Sequence, residues 1–288
     1  MITFPNAKIN LGLNVVRRRS DGYHDIATVM VPVAWRDILE IVPAADGSTT
    51  TLTVTGRGVA CAPEKNLVMT AYRAMQARYG DSLGPVDIHL HKVIPDGAGL
   101  GGGSADASFA IKAANELAGL GLSDSEMASV AARVGADCAF FIYNRPMLAR
   151  GIGDVLTPVD ASAFAGLGIA IVKPEAEAVS TREAYGSITP TPLEPGVCLE
   201  TEISRPVDQW HVNAVLVNDF EAPIAGMRPA IASVLRRMRG FNPLYCAMSG
   251  SGAAVFGIFD NAKMAEQAAA AFTDCRTFAS TLPGSALK

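Results

Sequence analysis

No two of the five cysteines (Cys61, Cys138, Cys198, Cys246 and Cys275) stand in a C-x-x-C spacing, and their number is odd. This argues against a disulfide framework and a structural zinc site, and it fits a reducing compartment. Long apolar runs are also lacking. Leu167 to Val172, interrupted by Gly168, falls far below the ~20 residues of a membrane-crossing helix. Basic charge is not in excess: 24 Lys and Arg against 28 Asp and Glu leave a net charge of −4. General nucleic-acid binding is therefore not expected, and an anionic ligand must be met by a local device. Near the N-terminus the polar Lys8, Asn10 and Asn14 lie among the first apolar residues, with Arg17-Arg18-Arg19 after them, the wrong order for a secretory signal. The expectation is a cytoplasmic protein with no membrane or nucleic-acid partner.

What is present is an ordinary globular composition, 49% hydrophobic and 18% charged over 288 residues. At ~150 residues per domain this suggests about two domains. Residues 8–16 alternate apolar and polar, as a half-buried strand does. That phase puts Lys8, Asn10 and Gly12 on one face, opposite Ile9, Leu11 and Leu13. Turn-rich residues 17–25 follow, then further alternation through 26–42 and 50–55. Val68, Ala71, Tyr72, Met75 and Tyr79 mark a helix with Asn66 as N-cap and Gly80 as its stop. Val86, Ile88 and Leu90 predict a strand, and Ser104 opens a helix to about Leu117. Ser123-x-x-Glu126 is a capping box for a helix that ends at Gly135. Residues 138–143 read as a buried strand and 168–172 as another. Four prolines make 186–206 a loop. Helices are expected at 212–222, 228–239 and 262–272, with strands at 252–258 and at the C-terminal end. Without a βαβ period, the class is α+β.

The most informative segment is Pro95-Asp96-Gly97-Ala98-Gly99-Leu100-Gly101-Gly102-Gly103-Ser104-Ala105. Its glycines lie between a strand and a helix, where they allow positive φ and close approach of a ligand to the main chain. The following helix offers unpaired N–H groups and its positive dipole end, a cradle for phosphate oxygens. Gly97-x-Gly99-x-x-Gly102 matches the dinucleotide fingerprint only formally, because no second βαβ unit follows. A Walker A loop is excluded because Gly103 stands where lysine is required. The protein-kinase set fails because there is no H-R-D, and Asp219-Phe220 precedes Glu221.

Three ordered motifs, Pro5 to Leu11, Pro95 to Ala105 and Met248 to Ala253, resemble those of the GHMP small-molecule kinases. Asp21-Gly22-Tyr23-His24, the triple glycine 101–103 and Gly135-Ala136-Asp137 are similar to the branch whose acceptor carries a cytidine diphosphate. Arg150 to Asp154 and Asn218 to Glu221 agree with that branch too. Ala139 departs from it, since proline is usual there.

The resemblance implies a two-domain fold. Residues 1–157 would form a ribosomal-S5-like ATP-binding and catalytic domain, and 158–288 a ferredoxin-like substrate domain. It implies ATP as co-substrate and Mg²⁺, with Pro95 to Ala105 and Asn66 binding ATP and Ser104 a candidate metal ligand. Asp137 would take the acceptor's hydroxyl proton, with Lys8 paired to it. Asn10, Tyr23, His24, Thr181 and Tyr185 would hold the acceptor. A homoserine or mevalonate-type acceptor, or a non-catalytic sensor, is the alternative. His89 and His91 share a strand face without a visible third metal ligand, and that face is expected to be solvated or partly buried. His211 is expected to pack with Trp210.

Overall fold

The computed structural model describes residues 1–287 except 46–47, 58–60, 194–197 and 211–215. In chain order the strands are β1 (Ile2–Thr3), β2 (Asn6–Arg18), β3 (His24–Arg36), β4 (Ile38–Pro43), β5 (Thr51–Gly56), β6 (Val86–Lys92), β7 (Met147–Arg150), β8 (Val155–Pro158), β9 (Gly168–Pro174), β10 (Tyr245–Met248), β11 (Val255–Phe259) and β12 (Cys275–Thr281). The helices are α1 (Leu67–Tyr79), α2 (Gly102–Leu117), α3 (Asp124–Ala131), α4 (Cys138–Tyr143), α5 (Thr181–Gly186), α6 (Leu199–Ile203), α7 (Glu221–Met227), α8 (Pro229–Arg239) and α9 (Ala262–Ala270). Among the described residues no helix is long and apolar enough to cross a membrane.

The chain forms two compact units that interleave along the sequence. The first comprises Met1–Ala7, Trp35–Asp96 and Gly101–Asn144. Its sheet has the order β1-β4-β6-β5, antiparallel except for the parallel β5–β6 pair. Along β6, Val86, Ile88 and Leu90 are buried while His89 and His91 are exposed, so the histidines lie on the solvated face as expected. The buried phase of this strand then falls on Lys92. Helix α1 starts at its Asn66 cap, whose side chain accepts from the Val68 N–H at 2.9 Å, and stops at Gly80. Helix α2 packs on α1, α3 and α4, and the capping box at Ser123 and Glu126 opens α3.

The second unit comprises Lys8–Ala34, Gly97–Leu100 and Arg145–Lys288. One sheet runs β2-β3-β7-β8. Another, β10-β11-β9-β12, is antiparallel throughout and is covered by α8 and α9. Its core includes Val172, Val234, Met238, Val255 and Ala268. Trp210 is buried against Phe164 and Tyr245; His211 lies outside the described residues.

Several local expectations are corrected. Residues 138–143 form helix α4, not a strand. A six-residue apolar run is compatible with either. Here the Ser108 hydroxyl takes the Cys138 carbonyl at 2.7 Å, and left-handed Asn144 (φ 49°) ends the turn. Strand β2 is not half-buried: from Asn6 to Val15 it is buried on both faces. Helix α2 begins at Gly102 with Gly101 as N-cap, so Ser104 is its third residue and not its opener. Leu216 to Phe220 are not helical, because Asn218 bridges to Leu13 and only Glu221 onward turns into α7. Residues 212–215 of that expected helix lie outside the described residues. The proline-rich stretch 186–206 includes α6, whose Leu199 and Ile203 are buried; 194–197 lie outside the described residues.

Candidate active site

In the second unit, the loop residues Gly97 to Leu100 have every carbonyl engaged. Gly97 accepts from the Val179 and Ala253 N–H groups at 3.2 and 3.1 Å, and Ala98 from the Ala254 N–H at 3.0 Å. The Ser249 hydroxyl donates to Gly99 at 3.0 Å, and the Lys8 N–H donates to Leu100 at 2.9 Å. Positive φ recurs at Gly97, Gly99 and Gly101 (59°, 72° and 71°). Alternation of hand along a short run aims successive N–H groups into an anion-binding concavity.

The partner segment Met248 to Gly250 is itself held. Asn218 Nδ2 donates to the Met248 and Gly250 carbonyls, both at 2.8 Å. The Met248 N–H donates to Glu221 Oε2 at 2.7 Å. A Cβ on Gly250 would lie 3.3 Å from Asn10 Oδ1. The three sequence motifs therefore meet in this unit through Lys8 and Asn10, Gly97 to Leu100, and Ser249 to Ala254.

Lys8 and Asn10 share a face of β2 as alternation predicts, and both are buried. Lys8 Nζ donates to Asn10 Oδ1 at 2.5 Å. Asn10 Nδ2 donates to Thr28 Oγ1 at 3.0 Å, and Thr28 in turn donates to the Gly12 carbonyl at 2.5 Å.

His24 and Tyr185 stack with ring centroids 4.5 Å apart and planes 14° apart, and Phe220 meets Tyr185 edge-on. Burial, and secondarily the charge of Arg18, holds the His24 pKa below its ordinary value. Tyr23 is 61% exposed. Exposed Thr181 opens α5, whose N-cap Ser180 accepts from the Glu183 N–H at 3.1 Å. Glu183 also accepts from Arg228 at 2.6 Å, which ties α5 to the start of α8.

In the first unit, α2 presents its N-terminus without a side-chain cap, since Gly101 is the N-cap. The N–H groups of its first turn have no partner within the helix, and the dipole adds positive potential there. A Cβ on Gly103 would meet nothing nearer than Leu67 Cδ1 at 3.7 Å, an ordinary van der Waals contact, so a methyl group fits there without a clash. The Ser104 side chain hydrogen-bonds with the Cys138 thiol, whose pKa burial pushes up to about 11. Half-buried Asp137 sits at the N-cap position of α4 and does not cap it. Ala139 lies in the first turn of α4, where proline is tolerated because its missing N–H has no acceptor there. The first unit thus contains Asp137, Ser104 and the start of α2. Asn66 spends its Oδ1 on the cap of α1.

Sequence reasoning missed a buried charge cluster under the start of α2. Lys92 Nζ donates to Asp37 Oδ2 at 2.5 Å and to Asp106 Oδ2 at 2.6 Å, and all three residues are buried. Asp37 Oδ1 also accepts from the Val93 and Ile94 N–H groups at 2.5 and 2.8 Å. One ammonium cannot balance two carboxylates, and burial pushes the Asp106 pKa up to about 8. The legible signal was the alternation of β6, which puts Lys92 on the buried phase. Thr28 carried no such signal, whereas Asn218 and Glu221 stood out only as the ends of the motif Asn218 to Glu221. Among the described residues no three His, Cys, Asp or Glu side chains converge as a metal-binding group.

Residues 66–145 match the GHMP kinases N terminal domain and residues 208–275 the GHMP kinases C terminal domain. The 4-diphosphocytidyl-2-C-methyl-D-erythritol kinase of Parabacteroides distasonis is 46% identical over 275 residues, covering 96% of this chain and 97% of that protein. The protein of the same name from Porphyromonas gingivalis is 42% identical over 283 residues, covering 98% and 100%. A crystal structure of 4-(cytidine 5'-diphospho)-2C-methyl-D-erythritol kinase superposes with a TM-score of 0.77 at 31% identity, covering 99% of this chain and all of that one. Homoserine kinase from Cytophaga hutchinsonii, at 20% identity and a TM-score of 0.63, shares the fold.

Proposed function

The chain belongs to the GHMP kinase family, and from that premise we propose that it transfers the γ-phosphoryl group of ATP to the 2-hydroxyl of 4-diphosphocytidyl-2-C-methyl-D-erythritol. The products are the 2-phosphate and ADP, in the non-mevalonate route to isoprenoid precursors. The observation that carries this reading is identity of 42–46% over nearly the full length with relatives of that name. We take residues 1–157 as the ATP-binding and catalytic domain and 158–288 as the substrate domain. This is a division of the sequence, compatible with family matches over 66–145 and 208–275, and not one between the two interleaved units of the fold. The reaction is assigned to the cytoplasm.

Phosphoryl transfer requires positioning, charge neutralisation and a proton acceptor. Residues Pro95 to Ala105 bind the ATP phosphates through main-chain N–H groups and the N-terminus of α2. Asn66 meets the adenine with Nδ2, its Oδ1 being held by the helix cap. Asp137 accepts the proton of the attacking hydroxyl. Lys8, held by Asn10, lowers the cost of that deprotonation and stabilises charge on the transferred group. Tyr23, His24, Thr181 and Tyr185 hold the cytidylyl end of the acceptor, with Asn10 near its reacting end.

Mg²⁺ supplies charge neutralisation across the phosphates when bound with the nucleotide. The donors available suit it. Ser104 offers a hard oxygen in the first turn of α2, and Mg²⁺ takes one or two protein oxygens beside phosphates and water.

The test is ADP release from ATP–Mg²⁺ with 4-diphosphocytidyl-2-C-methyl-D-erythritol, homoserine, mevalonate and phosphomevalonate offered separately. Turnover on the first alone is expected. Turnover on another acceptor would keep the kinase assignment and discard the cytidylyl pocket.

A further inference from the structure

Thr28 is fully buried on β3, and the mechanism above gives it no part. We propose that Thr28 is a positioning residue. Its hydroxyl fixes which way the Asn10 carboxamide points, and through Asn10 it holds the Lys8 ammonium in place for phosphoryl transfer. This rests on the role given to Lys8 above.

The argument follows the count of protons. A carbonyl oxygen only accepts, so the contact between Thr28 Oγ1 and the Gly12 carbonyl uses the one proton the hydroxyl has. Toward Asn10, Thr28 then has only a lone pair to offer. The Asn10 atom 3.0 Å away must be the donor Nδ2. That leaves Oδ1 facing Lys8 Nζ at 2.5 Å, where an acceptor is required because an ammonium only donates. The flipped carboxamide would set oxygen against a spent hydroxyl and NH₂ against NH₃⁺, losing both bonds. Asn10 is 2% exposed and Lys8 4%, so solvent does not readily replace either partner. With one ammonium N–H fixed on Asn10, tetrahedral geometry restricts the other two to a narrow cone. Thr28 thus reaches the reacting groups through two intervening side chains and touches none of them.

The experiment compares Thr28→Val, Thr28→Ser and Lys8→Met with the wild-type chain in the ADP-release assay, using ATP–Mg²⁺ and 4-diphosphocytidyl-2-C-methyl-D-erythritol. Thr28→Val keeps the shape and removes the hydroxyl. A misplaced reacting group costs on the order of 10²-fold, so kcat is expected to fall about 10- to 100-fold with the KM for ATP within about twofold. Thr28→Ser restores the hydroxyl and is expected to recover kcat to within about threefold of wild type. Wild-type kcat in Thr28→Val would overturn the proposal, as would Thr28→Ser as slow as Thr28→Val. If Thr28→Val does not fold, neutron diffraction from deuterated wild-type crystals decides. The expected deuteron on Thr28 points to the Gly12 carbonyl, and one pointing to Asn10 refutes the relay. Lys8→Met separates the two readings. An inactive Lys8→Met beside a fully active Thr28→Val sinks the relay alone. An active Lys8→Met sinks the role of Lys8 and the relay with it.

Discussion

Gly99 and Ser249 are in such close contact that a Cβ on Gly99 would stand 1.9 Å from the Ser249 carbonyl oxygen, while the Ser249 hydroxyl donates to the Gly99 carbonyl at 3.0 Å. Gly99 also has φ +72°, a region costly to any residue with a side chain. Gly99→Ala is therefore expected to lose about 3 kcal/mol or more of stability, from backbone strain and displacement of the Met248 to Gly250 segment. Urea unfolding of the purified variant measures it. An unchanged midpoint would contradict this contact.

Gly103 is the contrasting case. It lies in the first turn of α2, where a Cβ would sit in ordinary contact with Leu67 and meet no clash. Gly103→Ala is expected to keep the fold and to gain up to about 0.5–1 kcal/mol, because alanine loses less backbone freedom on entering a helix. If the first turn receives phosphate, the new methyl group occupies that space and ATP affinity falls about tenfold, or about 1.4 kcal/mol. Calorimetric titration with a non-hydrolysable ATP analogue reads this directly. Unchanged affinity would move the phosphates elsewhere.

Asp137→Asn removes the proton acceptor and leaves the shape of the turn before α4. Loss of a general base costs about 10²–10⁴-fold, so kcat is expected to fall by that range, with ATP binding within about twofold. Stopped-flow or coupled assays at saturating acceptor give the rate. Near-normal turnover would remove Asp137 from the mechanism.

The cluster of Lys92, Asp37 and Asp106 makes stability depend on pH in an unusual sense for a carboxylate. The pKa of Asp106 is raised from an ordinary 3.8 to about 8, chiefly by burial. The folded state therefore holds a proton that the unfolded chain releases. Stability from this group is full below the unfolded pKa and is lost as pH rises toward 8. Asp106→Asn is neutral throughout and keeps an oxygen for Lys92. Its stability relative to wild type is expected to grow from pH 5 to pH 8 and then level off. Urea unfolding at pH 5, 6.5, 8 and 9 checks this, and parallel stability curves would refute it.

Much of the architecture was legible because its signals are short-range. Asn66 and Gly80 bracket α1 by cap chemistry, Ser123 and Glu126 open α3 by reciprocal capping, and β6 alternates as written. The glycine run stood out by the backbone freedom it requires, which recurs as positive φ at Gly97, Gly99 and Gly101, and three ordered motifs identified the family. Where the local signal was ambiguous, the reading failed. Cys138 to Tyr143 is apolar at every position, so no periodicity separates a strand from a helix buried on all sides.

Sequence alone determined the limits of α1, the opening of α3 and the shared face of Lys8 and Asn10, because these depend on neighbours a few residues away. Tertiary structure decided the rest. Lys92 finds Asp37 from 55 positions away, Asn218 takes the Met248 carbonyl from 30, and Thr28 turns Asn10 from 18. A buried polar group must be satisfied by whatever the fold brings beside it, and local periodicity carries no record of which distant residue that is.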